Sequence, residues 1–360
     1  VICVLEMGVE RMARRTPCRI IYGACAILSA AAANASELPS PGLRTAPVYA
    51  SGSFDLSVSA GVMSARATET VHASRNDGSG LPPGARISNL VWTTEVSGML
   101  GLTFGWNASS HTRLEASFYA PVLNDANRMT NMDWLNPDVF PDWTDRSLHS
   151  DTRGGGSHIA DLRLAHQFYR AGDFTASALA GFRRTQMSWK AYGGSFLYTE
   201  ASAEDCSAYG STAPAFDPGS TFRNCAGVFD PVAQIAYRQV FNTPFLGARG
   251  SYTSGPWRVS ADVVAAPYAW ASDRDLHVAQ TLFKSTFRGM KMFGATMQGS
   301  YRLSAIFSGF IEAEGQWHLH RKGELEAWDV ATGEYVNYGP SSAGASLRML
   351  RVSAGLKAGF

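Results

Sequence analysis

The sequence predicts an all-β chain, a closed antiparallel transmembrane β-barrel of about ten strands with long extracellular loops. Three observations lead there. Apolar and polar residues alternate with period two over segments longer than most soluble strands, the connections between those segments are alternately short and long, and aromatic residues sit near the segment ends. Composition agrees: 17% charged residues, 11% aromatic residues and 35 glycines in 360 residues suit a wall that meets lipid on one face and turns tightly between strands. The mean hydropathy of -0.10 argues against a bundle of membrane helices. A formal net charge of +1 carries no electrostatic sign of a nucleic-acid partner, and none is expected.

Residues 1–35 read as a secretory signal with upstream read-through. Met12 is the expected start, with Arg14, Arg15 and Arg19 ahead of an apolar stretch over 20–33 that is too short to span a bilayer. That stretch ends in Ala33-Asn34-Ala35, the small-x-small pattern a signal peptidase accepts, so one barrel domain is expected over 36–360. Export leaves Cys206 and Cys225 as the two cysteines beyond the leader, in an oxidising compartment where such a pair usually forms a disulfide. The segment between them is rich in Ser, Gly, Pro and Ala and reads as a stapled surface loop.

Strands are expected near 50–66, 88–106, 112–122, 157–170, 174–199, 232–252, 257–272, 282–302, 305–322 and 345–360. In 112–122, Leu114, Ala116, Phe118 and Ala120 fall on one face and Arg113, Glu115, Ser117 and Tyr119 on the other, as a wall between lipid and a polar interior requires. The last segment sets Val352, Ala354, Leu356, Ala358 and Phe360 on one face, and its terminal Phe resembles the signal read by the barrel-assembly machinery. Short connections at 107–111, 171–173, 253–256 and near Ser304 read as periplasmic turns, and the long polar ones, including 199–230 and 322–343, as extracellular loops. Trp106, Trp189, Tyr198, Trp257 and Trp270 read as interfacial aromatics. Closure is required because each unpaired backbone group at an open edge in hydrocarbon costs several kcal/mol.

Two polar clusters could carry chemistry. One is Asn131-Met132-Asp133-Trp134 with Trp143-Thr144-Asp145-Arg146-Ser147-Leu148-His149-Ser150-Asp151-Thr152 after it; the other is Trp270-Ala271-Ser272-Asp273-Arg274-Asp275-Leu276-His277. In an extended segment Asp275 and His277 share a face, so the carboxylate can fix the imidazole tautomer and stabilise its charged form, as a general base requires. Alone, Asp-x-His is more often a solvated loop pair. No metal site is expected, because His318 and His320 have no third ligand at a recognisable spacing; they are expected to line the interior or the rim.

Further stretches accompany these clusters in a fixed order: Ser59-Ala60-Gly61 with Ser64 and Glu69, Arg86-Ile87-Ser88-Asn89-Leu90-Val91-Trp92, Gly193-Gly194-Ser195-Phe196-Leu197-Tyr198, and Tyr237-Arg238-Gln239-Val240-Phe241-Asn242-Thr243-Pro244-Phe245-Leu246-Gly247. Together they span most of the mature chain and resemble the omptin family of surface proteases. The resemblance implies an outer-membrane endopeptidase in which a water, held between two rims, attacks the scissile carbonyl without a covalent intermediate. On it, Asp275 orients His277, His277 takes the water's proton, and Asp133 on the facing rim positions the water or the tetrahedral centre. Glu69 and Asp273 would form the pocket for a substrate Arg or Lys through charge-assisted hydrogen bonds; otherwise they are ordinary surface charges. The implied partners are polypeptides containing Arg or Lys, outer-membrane lipid, and lipopolysaccharide, which the family needs for activity; no other cofactor is implied.

The chain departs from the family pattern in two places. Asn131 stands where the family has the first aspartate of its rim pair, and an amide can hydrogen-bond but cannot carry negative charge or share a proton. The positions matching the family's lipopolysaccharide contacts read Phe182, Arg184, Gln186 and Val240, so two expected arginines are missing, with Arg183 and Arg184 as candidate substitutes. Two rival readings follow. One is a barrel with weakened or lost catalysis that acts as an adhesin or receptor. The other is a small passive channel with Glu312 and Glu314 facing inward, unless those carboxylates pair with interior Arg and Lys and plug the lumen.

Overall fold

The computed structural model describes residues 52–74, 79–210, 214–278 and 280–360; the export leader expected over 1–35 lies outside the described residues. The strands are β1 (Phe54–His72), β2 (Arg86–Asn107), β3 (Thr112–Asp133), β4 (Asp145–Gly154), β5 (His158–Ala171), β6 (Phe174–Tyr192), β7 (Ser195–Tyr198), β8 (Ala215–Phe216), β9 (Cys225–Val228), β10 (Ala233–Ser254), β11 (Trp257–His277), β12 (Thr281–Arg302), β13 (Phe307–Asp329) and β14 (Tyr335–Gly359). Pairing runs β10-β11-β12-β13-β14-β1-β2-β3-β5-β6, and the β6–β10 ladder closes the ring at ten positions. One position is shared. The lower part of β3 pairs with β5 and its upper part with β4, and β4 then pairs with the top of β6.

The outer wall explains the period-two pattern. Leu56, Val58, Val62, Leu100, Leu102, Phe118, Leu164, Val259, Val263, Met297, Ile311, Leu350 and Val352 are exposed, and nearly all belong to the half of the ring nearest the short turns. Phe54, Trp106, Phe174, Trp257, Phe307 and Phe360 are exposed around its lower edge. A band of about ten residues per tilted strand matches hydrocarbon thickness, so this half is the membrane-spanning part and the rest of the ring stands beyond it.

Inside, the barrel is filled in layers. Nearest the short turns, Arg113, Arg163, Arg183, Arg249 and Arg351 interleave with Asp55, Glu115, Asp161, Asp262, Glu312 and Glu314, with Arg113 2.7 Å from Asp55, Arg249 2.8 Å from Asp262 and Arg351 2.8 Å from Glu312. Glu312 and Glu314 therefore pair with interior arginines and help plug the lumen. Above this network lies an apolar plug that includes Met63, Met129, Met187, Phe241, Phe287, Met290 and Leu347, all buried. Trp92 of β2, Trp189 of β6 and Tyr237 of β10 complete it across the barrel as a stack, with the Trp92 and Tyr237 rings 5.2 Å apart at 7° and those of Trp189 and Tyr237 6.2 Å apart.

Several expectations need correction. The stretch 322–343 is strand rather than loop for most of its length, since β13 and β14 continue to a turn at 330–334. Beyond the bilayer both faces of a strand meet polar surroundings, so the alternation that marks strands in sequence fades there. Trp189 belongs to the core stack, not to an interfacial girdle, and Tyr198 lies on β7, which leaves the ring after Gly193 and Gly194, both at positive φ. Arg183 is buried in the lumen against Asp161 at 2.7 Å, so of the two candidate outer-wall arginines only Arg184 is exposed. The two histidines lie where expected: His318 is interior, 2.9 Å from Thr243 Oγ1, and a bulge between His318 and Arg321 leaves His320 beside Thr70 at 3.2 Å.

Candidate active site

Above the plug the ring holds a polar cleft with walls from different sides. Period two puts Asp273, Asp275 and His277 of β11 on the inner face, and the ladder aligns Gln239 of β10 and Ser285 of β12 with Asp273. His277 Nε2 lies 3.1 Å from Asp275 Oδ2, and the imidazole meets Phe283 edge-on with centroids 5.3 Å apart. The His277 side chain is 32% exposed and that of Asp275 is 2% exposed, so a buried carboxylate backs an imidazole open to the cleft. With the proton on Nε2 donated to Asp275, Nδ1 is the basic nitrogen.

The facing wall is the top of β3 between β2 and β4. Ser88 Oγ donates to Asn131 Oδ1 at 3.1 Å, and Asn131 Nδ2 donates to Asp133 Oδ2 at 2.6 Å. Asp145 stands opposite Asp133 in the β3–β4 ladder and accepts from Thr144 Oγ1 at 2.5 Å and from the Thr199 backbone N–H at 2.8 Å. Burial, with Asp145 adding to it, pushes Asp133 up to about 6, against the nearby Ser88 hydroxyl, the Asn131 hydrogen bond and the pull of His277. Burial works the other way on His277, but Asp275 and then Asp133 outweigh it and raise its pKa. Each rim thus acts on the other's titration, as charges near one another do.

Deeper on the β11 side is an acidic pocket. Glu69 reaches it from β1, and both Glu69 and Asp273 are 2% exposed. Tyr237 Oη donates to Asp273 Oδ2 at 3.2 Å, while Glu69 Oε2, Asp273 Oδ1 and Asp275 Oδ1 are buried without hydrogen-bond partners. Burial, reinforced by Asp275 and Asp273, holds Glu69 well above the usual carboxylate range, and burial with Asp275 nearby pushes Asp273 up to about 7. Clustered buried carboxylates with unused acceptors suit a cationic group that would relieve both burial and mutual repulsion. Among the described residues no group of three or more His, Cys, Asp or Glu is arranged to hold a metal ion.

A side sheet, β4-β7-β9-β8, supports the Asp133 wall. Cys206 and Cys225 are bonded there, and Phe196, Phe216 and Phe229 pack around them. His149 of β4 stacks on Phe229 with centroids 5.3 Å apart. Gly194, at φ +111, fits against β4 only without a side chain, since a Cβ would lie 2.5 Å from the Leu148 carbonyl oxygen.

The structure brings Asn131, Asp133, Asp275 and His277 to one cleft and sets Glu69 and Asp273 beside it. Sequence reasoning assigned no role to Ser88, Asp145, Gln239 or Tyr237. Strand parity offered the signal, because Tyr237 and Gln239 share the inner face of β10, but only the ladder shows which strands they face.

Comparison with known proteins bears on this arrangement. The model of the omptin family matches residues 50–360. The plasminogen activator of Yersinia pestis is 25% identical over 315 residues, covering 87% of this chain and 92% of that protein. The outer membrane protease OmpP of Escherichia coli is 25% identical over 281 residues, covering 77% of this chain and 82% of that protein. The crystal structure of the outer membrane protease OmpT from Escherichia coli superposes with a TM-score of 0.75 at 19% identity, covering 91% of this chain and all of that one, and shares its fold. With a family match across the whole described barrel, the chain belongs to the omptin family.

Proposed function

We propose that this chain is an outer-membrane endopeptidase that hydrolyses peptide bonds next to Arg or Lys, with its cleft facing the cell exterior. One observation carries the reading: an imidazole open to the cleft, backed by a buried carboxylate at 3.1 Å, faces a second buried carboxylate across the barrel mouth. His277 removes a proton from a water whose oxygen attacks the scissile carbonyl carbon, while Asp275 stabilises the imidazolium. Asp133, steadied by the Asn131 amide, holds the water and the tetrahedral centre. The proton on His277 then passes to the departing amine, leaving a new carboxyl and a new amino terminus. Glu69 and Asp273 receive the basic side chain through charge-assisted hydrogen bonds. The relatives described as outer membrane proteases support this reading.

Lipopolysaccharide dependence belongs to the same proposal. Phe182, Arg184 and Gln186 lie on the outer face of β6, and Arg184 donates to Asn242 at 3.0 Å, which leaves one arginine of this group available to a lipid phosphate. The test is cleavage of quenched fluorescent peptides containing Arg or Lys by refolded protein, with and without lipopolysaccharide, beside His277→Ala. Activity that needs the lipid and disappears in His277→Ala supports both parts; equal activity without lipid removes the dependence alone. An adhesin or receptor role takes precedence if the wild type is inert in every condition.

A further inference from the structure

Two carboxyls in hydrogen-bond contact cannot both be ionised; they share one proton until a raised pH removes it. In this chain an amide takes one side of that contact, with Asn131 Nδ2 2.6 Å from Asp133 Oδ2. While Asp133 is ionised, turning the amide over would place two oxygens at that distance with no proton between them. Ser88 Oγ donates to Asn131 Oδ1 at 3.1 Å and holds the same orientation from the other end. Toward ionised Asp133, Asn131 therefore donates at any pH the hydrogen bond that a second carboxyl donates only while protonated.

We propose that Asn131 is a positioning residue that keeps a further ionisable carboxyl out of contact with Asp133 and so sets the working range of His277 toward lower pH. The inference rests on the hydrolytic reading above. A general base must be neutral to accept a proton, and every anion that faces it strengthens its hold on one. His277 is faced by Asp275 on β11, Asp133 on β3 and His149 on β4, and its ladder partner on β10, Ile235, is uncharged, as is Phe283, which packs on it from β12. Asp133 is faced by Asp145 on β4, Tyr198 on β7 and His277, while its β2 neighbour Ser88 is neutral. A carboxyl at position 131 would add a further anion to this rim, beside Asp133 and Asp145, once ionised. It would also bring a second ionisation on the alkaline side that the amide lacks.

The pH dependence of kcat/KM on an Arg-containing fluorogenic peptide tests this in wild type, Asn131→Asp, Asn131→Leu and His277→Ala, each checked for folding by its heat-modifiable migration on gels. Asn131→Asp is expected to cleave with its acidic limb moved up by about 0.5–1.5 pH units, the size of one charge acting over several ångströms in a partly exposed site. Asn131→Leu is expected to lose about 10-fold or more in kcat with little change in KM, because Asp133 loses its donor. A direct readout independent of turnover is the NMR titration of the His277 ring, assigned by its loss in His277→Ala; its midpoint should rise in Asn131→Asp. The inference is overturned if both limb and midpoint stay put in Asn131→Asp, or if the wild type is inert and Asn131→Asp alone cleaves. Cleavage that survives in His277→Ala would instead sink the hydrolytic reading itself.

Discussion

Tyr237 donates its hydroxyl to Asp273 at 3.2 Å while its ring lies parallel to Trp92 at 5.2 Å, so one side chain joins the apolar plug to the acidic pocket. Tyr237→Phe keeps the stack and removes the donor. A hydrogen bond to a charged group contributes about 1.5–3 kcal/mol, so KM for an Arg-containing peptide should rise roughly 10-fold or more, with kcat less affected. Steady-state kinetics at pH 7 check this; an unchanged KM would mean that Asp273 does not receive the basic side chain.

The pocket carboxylates should cost stability in the absence of a cation. Asp273 has a folded pKa of about 7, above an ordinary carboxyl, and Glu69 is raised in the same direction. The protonated form is favoured by folding, so the penalty is absent below about pH 4, grows as pH rises toward 7, and is complete above it. Asp273→Asn and Glu69→Gln should therefore be more resistant to urea than wild type at pH 8, by on the order of 1–4 kcal/mol, and about equal to it at pH 4. The same variants should cleave Arg-containing peptides at least 10-fold less well. Stability differences that ignore pH would contradict the burial of these carboxyls without a cationic partner.

Arg351 sits between Glu312 at 2.8 Å and Glu314 at 2.5 Å. Arg351→Ala leaves Glu312 with Gln298 and Glu314 with Arg183 alone, and should destabilise the barrel by about 2–4 kcal/mol, toward the loss seen on removing one member of a buried pair. Trp92→Ala should cost about 3–5 kcal/mol by opening a cavity in the plug. Equilibrium unfolding in detergent or lipid measures both.

The filled lumen also bears on transport. With an ionic network below and an apolar plug above, planar bilayers holding the wild type should show no steady conductance. Sustained single-channel openings would revive the passive-channel reading.

The wall of this barrel was legible in the sequence because lipid imposes alternation on every residue it touches: Leu114, Phe118, Val352 and Leu356 declare their face whatever strand pairs with them. The upper ring was not, since Lys322, Glu324, Glu326, Asn337 and Tyr338 belong to strands with water on the outside and a polar cleft within. The bulge after His318 reverses parity at a place no local pattern marks. Of the candidate site, spacing marked Asp275 and His277 only as a usable pair on one face, and their assignment, like that of Asp133, Glu69 and Asp273, came through family resemblance. Ser88, Asp145 and Tyr237 depended on register between strands far apart in sequence, which alternation alone does not specify.

The most direct test is hydrolysis of a fluorogenic Arg-containing peptide by the refolded barrel with lipopolysaccharide, comparing wild type with His277→Ala at matched folding. The wild type should cleave at the basic residue, and His277→Ala should lose at least 100-fold in kcat, as removal of a general base typically causes. Equal rates in the two proteins would contradict the assignment of His277 as the base and the mechanism built on it.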